Sequence, residues 1–156
     1  MACIAGAALT GHAAPSVSPM DIADRLQIQD LITAVAHGYD ALDWDLYGSV
    51  WTDDAVMDRG GTSASARTRA DIVESARVFR SGLAAQGIQT RHYPSNTMFE
   101  PLDANRVRAT TAILVAWQHA GEASPQAKHT GLYHDEFVRT AAGWRMASRR
   151  LAIDHD

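Results

Sequence analysis

The sequence predicts an α+β domain in which leading helices pack on one face of a curved sheet and leave an apolar pocket between the layers. Three observations predict this. Apolar residues recur at helical spacing as far as Gly87, and at a period near two beyond it. Glycine and short polar clusters punctuate the second half as turns. Helices followed by a run of long antiparallel strands form two layers, and a sheet that must cover three helices curves into a concavity where ligands bind.

From Pro19 onward the elements follow in order. Asp21 is placed to cap a helix carrying Ile22, Leu26, Ile28, Leu31, Ile32, Val35 and Tyr39, with Gly38 loosening its end before Tyr39-Asp40. A short helix covers Asp43 to Trp51, where Trp44, Tyr47 and Trp51 recur at i, i+3 and i+7. Ala55 to Arg59 reads as a short strand closed by Gly60-Gly61, and the stretch to Thr68 as a flexible loop. Arg69 to Gln86 returns to a helix with Ile72, Ala76, Phe79 and Leu83 on one face and Gly87 as its stop. Strands then span Gln89 to Glu100, Arg106 to His119, Lys128 to Thr140 and Trp144 to Ile153. Pro94 requires a bulge or a sheet edge in the first of them.

Composition narrows the function classes. The chain has 156 residues, enough for one domain, and 46% of them are hydrophobic, enough for one core. The first eighteen residues are Ala-rich and read as a disordered tail, leaving residues 19–156 as the domain. No basic residue precedes Arg25, so an export signal is the poorer reading of that tail. A net charge of -4 without a long basic run argues against nucleic acid and anionic membrane as partners. No stretch approaches the ~18–20 apolar residues that span a bilayer. A single cysteine, Cys3, excludes a disulfide framework and suits a cytoplasmic setting.

The seven histidines show no metal spacing, and we expect no metal and no cofactor. His129 and His134 are an odd number apart on one strand and face opposite ways; with His119 they read as surface or interface residues. There is no Gly-rich phosphate loop and no nucleophile elbow. Tyr39-Asp40, flanked by Val35, Ala36 and Leu42, and His92, beside Tyr93, are the polar groups set in apolar surroundings. A carboxylate that holds an imidazole gives it basicity and a fixed tautomer, and so a general base near neutral pH. Spacing alone leaves the alternative open: a surface aspartate at a helix end and a hydrogen-bonded core histidine.

Three blocks together resemble the SnoaL-like branch of the nuclear transport factor 2-like superfamily. They are HGYDALDWDLYGSVWTDDAVMD from His37, TRHYPSNTMFEPLDANRV from Thr90, and DEFVRTAAGWRMASRR from Asp135. The likeness runs over residues 21 to 153 and is greatest to scytalone dehydratase and gamma-hexachlorocyclohexane dehydrochlorinase. It implies a cone-shaped α+β barrel, with N-terminal helices on a strongly curved mixed or antiparallel sheet. It also implies that Asp40 and His92 form a catalytic dyad, that Tyr39 helps activate a substrate carbonyl, and that Arg149 lines the site. The departures are equally specific. Arg59 stands where the dehydratase has a second catalytic tyrosine. Trp117, Gly131 and Tyr133 replace other polar site residues, and Val35 replaces a lysine of the dehydrochlorinase.

Strand parity adds Val115, Trp117, Tyr133 and Phe137 to the expected lining, facing Met57 and Phe79. The expected function is a cofactor-independent lyase acting by β-elimination on a small hydrophobic cyclic substrate. An isomerase or polyketide cyclase using the same proton shuttle, or a ligand carrier, remains the alternative. Outward apolar residues such as Ala112, Leu114 and Leu132 lead us to expect a homo-oligomer, a trimer before a dimer.

Overall fold

A computed structural model of the chain describes residues 20–60 and 65–154. The expected tail, the centre of the glycine-rich loop and the last two residues lie outside the described residues. Three helices, α1 (Ile22–Ala41), α2 (Trp44–Ser49) and α3 (Arg69–Ala85), precede or interrupt five strands. These are β1 (Trp51–Asp58), β2 (Ile88–Asp103), β3 (Arg106–His119), β4 (Gln126–Thr140) and β5 (Gly143–Ile153). The fold class is α+β, as predicted.

Each helix starts on a capping side chain. Asp21 accepts the Ala23 N–H at 2.9 Å, Asp43 accepts Leu46 N–H at 3.0 Å, and Thr68 accepts Asp71 N–H at 3.1 Å. Gly38 does not loosen α1, which runs on to Ala41. Its missing side chain instead admits α2: a Cβ there would lie 2.7 Å from the backbone nitrogen of Tyr47. The chain then turns through Leu42 in the left-handed region, φ 61°, and Asp43 N–H closes the helix end on the Gly38 carbonyl.

The sheet order is β1-β5-β4-β3-β2, antiparallel throughout except for the parallel β1–β5 pair. The sheet is open: β1 and β2 are its two edges, so the expected barrel does not close. Pro94 sits on the edge strand β2, next to a register shift between Ser95 and Met98. β1 starts at Trp51, earlier than predicted, because its first residues read equally well as a helix end.

The main core is Ile28, Ile32 and Val35 of α1, Tyr47, Val50 and Trp51, Ile72 and Ala76 of α3, and Val107, Ala109, Phe137, Trp144 and Met146 from the sheet. Two of the apolar residues expected on this face, Ile22 and Leu26, are exposed on the first turns of α1. A second, smaller cluster of Ile113, Val115 and Tyr133, with Trp117 and Leu151 against it, lies farther along the same strands. The outer sheet face carries partly exposed Leu114, Leu132 and Tyr93. No helix among the described residues is long and apolar enough to cross a membrane.

Candidate active site

Between the helices and the second cluster lies a cavity of about 380 Å³. Ile88, Thr90 and His92 share one face of β2, and alternation turns all three toward the helices. Asp40, in the last turn of α1, meets them. Its Oδ1 accepts the Thr90 hydroxyl at 2.7 Å and lies 2.7 Å from His92 Nδ1. Its Oδ2 accepts the His92 backbone N–H at 2.7 Å. Burial would push this carboxyl up, but the His92 ring and the hydrogen bonds from Thr90 and the His92 amide outweigh burial and hold it below the ordinary value. Asp40 is therefore ionised at neutral pH and can only accept, so His92 Nδ1 carries the proton. The Nε2 lone pair is left as the free basic position of a ring that lines the cavity.

The aspartate is also fixed through its main chain. Its carbonyl, at the negative end of α1, accepts Arg80 Nη2 at 3.4 Å and Gln89 Nε2 at 3.3 Å. Arg80 is buried, and its Nη1 donates to the Ile88 carbonyl at 3.1 Å. One guanidinium thus ties α3 to both the helix that carries Asp40 and the strand that carries His92.

Tyr39 stands edge-on to the His92 ring, centroids 5.1 Å apart. Burial raises the pKa of its phenol and that of Tyr133, and pushes Tyr47 up to about 12. All three stay protonated at neutral pH, and all three line the cavity. Tyr47 donates toward the Met57 sulfur at 3.8 Å.

Arg149 faces the cavity from β5, but its charge is committed. Nε and Nη2 each bond a carboxylate oxygen of Asp135 at 2.7 Å, and the guanidinium carbon lies 3.7 Å from the Tyr133 ring centroid. Burial works against its charge, and Asp135 outweighs that and holds it firmly protonated. Arg149 thus lines the cavity with its charge already neutralised by Asp135.

Of the expected lining, Val35, Met57, Arg59, Phe79, Val115, Trp117 and Tyr133 reach the cavity. Two do not. Phe137 is fully buried in the main core, because it lies lower on β4 beside Met146. Gly131 faces inward but forms no part of the wall: a Cβ there would run into the Ala152 carbonyl of β5, so it marks a close backbone approach. His129, expected at the surface or an interface, lines the cavity instead, and Tyr47, Thr90 and the Asp135 partner of Arg149 join the site without a sequence signal that singled them out. His129 shares parity with Tyr133 and stands opposite Val115, which was the available signal that it faces the cavity. Among the described residues no group of three or more metal-ligating side chains assembles.

A family model for the SnoaL-like domain matches residues 20–150. No curated protein matches at a significant level. Among solved structures, ActVI-ORFA from Streptomyces coelicolor is 26% identical with a TM-score of 0.77, over 85% of this chain and 98% of that one. An NTF2-like protein with a cystatin-like fold from Novosphingobium aromaticivorans is 23% identical with a TM-score of 0.76, covering 86% and 85% of the two chains. A protein assigned as a scytalone dehydratase from the same organism is 14% identical, with a TM-score of 0.72 over 85% of each chain.

Proposed function

The chain belongs to the SnoaL-like domain family, and from that premise we propose that it is a cofactor-independent lyase working by β-elimination on a small cyclic substrate. The observation that carries this reading is the Asp40–His92 pair: a 2.7 Å contact that fixes the tautomer of an imidazole lining a largely apolar cavity. His92 Nε2 takes a proton from carbon beside a carbonyl. The C–H bonding pair becomes the double bond between that carbon and the carbonyl carbon, and the carbonyl π pair moves to oxygen to give an enolate. The enolate collapses, the bond to the β-hydroxyl breaks, and the imidazolium returns its proton so that water leaves. Asp40 stabilises the imidazolium that forms in between. Tyr39 and Tyr133, held protonated by burial, are the donors suited to the enolate oxygen.

The test uses cyclic β-hydroxyketones of one and two rings, followed in deuterated buffer by NMR and mass spectrometry. The wild-type chain is expected to release water. His92→Gln is expected to lower turnover by about 10²–10⁴. Asp40→Asn is expected to lower it through loss of the tautomer. Uptake of deuterium at the α-carbon without loss of water would turn the reading toward isomerisation or ring closure by the same base. Turnover within about threefold of wild type in both variants would end it, since a working general base contributes far more.

A further inference from the structure

We infer that the substrate carries an ionised carboxylate, and that Arg59 is the residue that anchors it. The inference deepens the proposed function, since it takes the same cavity as the substrate site. Two arginines line the cavity, and they differ in what they have left to offer. Arg149 gives two nitrogens to Asp135 and is electrically spent. Arg59, directly after β1, donates from Nη2 to the Ser75 hydroxyl at 2.9 Å. Ser75 donates its own O–H to the Ile72 carbonyl at 3.1 Å, so Arg59 rests on a neutral acceptor. Among the described residues no carboxylate lies within ion-pair distance of Arg59. Its remaining N–H groups are donors in the planar fork that matches a carboxylate.

The charge balance on the cavity wall agrees. Asp135 neutralises Arg149, which leaves Arg59 as the wall arginine without a carboxylate partner among the described residues. A partly buried cation with no counter-ion among the described residues is costly to hold, and an anionic ligand removes the cost. The placement also suits an anchor. Arg59 follows one edge strand of the sheet and His92 lies on the other, so anion binding and proton transfer occupy opposite walls. The base then works on carbon away from the carboxylate, and Arg59 acts on binding. Met57, Val115 and Trp117 between them offer apolar surface for a ring system.

The experiment measures binding without turnover, by calorimetry, with acid and ester pairs of matched shape: benzoate and methyl benzoate, 2-naphthoate and methyl 2-naphthoate. The wild-type chain is expected to bind the acid of at least one pair about tenfold or more tighter than its ester, the scale of a charge-assisted hydrogen bond. Arg59→Gln is expected to abolish that preference while leaving ester binding within about twofold. Arg59→Lys, which keeps the charge and loses the fork, is expected to keep part of the preference. Thermal melts of both variants identify any loss of folding, and the lysine variant remains informative if the glutamine one unfolds. Equal binding of acid and ester, a preference that survives in Arg59→Gln, or no binding of either series at millimolar concentration overturns the inference. His92→Gln separates the two readings. If it loses turnover while the acid preference is absent, the anchor fails and the base stands. If turnover is unaffected while the preference is present, the base fails and the anchor stands.

Discussion

Strands β3, β4 and β5 each run from a filled end to a hollow one. At the filled end Val107, Ala109, Phe137, Trp144 and Met146 pack against Ile28, Ile32 and Trp51. At the hollow end Val115, Trp117, Tyr133 and Leu151 face the cavity. The same strands and the same alternation produce both. The filled end is held by apolar contact, the default outcome wherever helix and sheet faces meet. The hollow end gives up part of that contact, because an atom facing a void has no dispersion partner there. Polar ties keep it open instead: the Asp135–Arg149 pair across β4 and β5, Arg149 against Tyr133, and the Asp40 hub that fixes α1 to β2. The hollow end is thus held by directional bonds, and the framework beside it by close packing.

The comparison breaks most visibly where one member of either device is removed. Phe137→Ala at the filled end is expected to lower unfolding free energy by about 3–5 kcal/mol, the cost of transfer plus a cavity. Asp135→Asn at the hollow end is expected to cost about 3–5 kcal/mol as well, because it leaves Arg149 charged and buried without a partner. The two losses differ in how they are rescued. The double variant Asp135→Leu, Arg149→Met is expected to recover most of the second loss, since apolar replacement of a whole buried pair is often neutral. Urea unfolding of all three decides this. A double variant no more stable than Asp135→Asn would mean that the hollow end is held by something other than this pair.

A smaller effect is expected where the two ends meet the backbone. Gly131→Ala pushes a methyl group into the Ala152 carbonyl of the neighbouring strand. The strands must part, at about 1–3 kcal/mol, and the wall formed by Tyr133 moves with them. Thermal unfolding checks the first effect, and affinity for the naphthyl probes the second. Unchanged stability would show that β4 and β5 separate freely at that point.

The sequence shows the layers better than it shows this division. The change of period at Gly87 separates helices from sheet, and alternation along β4 places Gly131, Tyr133 and Phe137 inward, as found. Parity gives the face but not the depth, so Phe137 was expected in a cavity and lies in the core. The same parity already contained His129 and Asp135. A charged or titratable residue on a strand is usually outward, which is why His129 reads as a surface residue and Asp135 gives no site signal. Asp40 and His92 are brought together by the docking of α1 on β2, which no local pattern records; apolar surroundings single out each residue, and the family resemblance alone pairs them. Arg80 left no signal at all. It is one basic residue on an otherwise ordinary helix, and its importance comes from the two carbonyls that fold against it.

The finest test of the contrast is its pH dependence. Phe137 carries no titratable group and packs among apolar side chains, so the loss in Phe137→Ala is expected to change little through the carboxylate range. Asp40 behaves otherwise. Its folded pKa lies below the ordinary carboxylate value of 3.8, because its hydrogen bonds outweigh its burial. Its stabilising contribution is therefore complete at pH well above that value, and is lost as pH falls through the lower, folded one. Thr90 supplies one of the bonds responsible. Thr90→Val removes that donor, moves the folded pKa upward, and is expected to cost about 1 kcal/mol near neutral pH. The cost shrinks as acid protonates the carboxylate the bond was stabilising. Urea midpoints for wild type, Thr90→Val and Phe137→Ala, measured from neutral pH down through the carboxylate range, separate the two kinds of stability. A Thr90→Val loss as flat with pH as that of Phe137→Ala would place Thr90 with the packing of the filled end, and remove it from the apparatus that keeps Asp40 ionised.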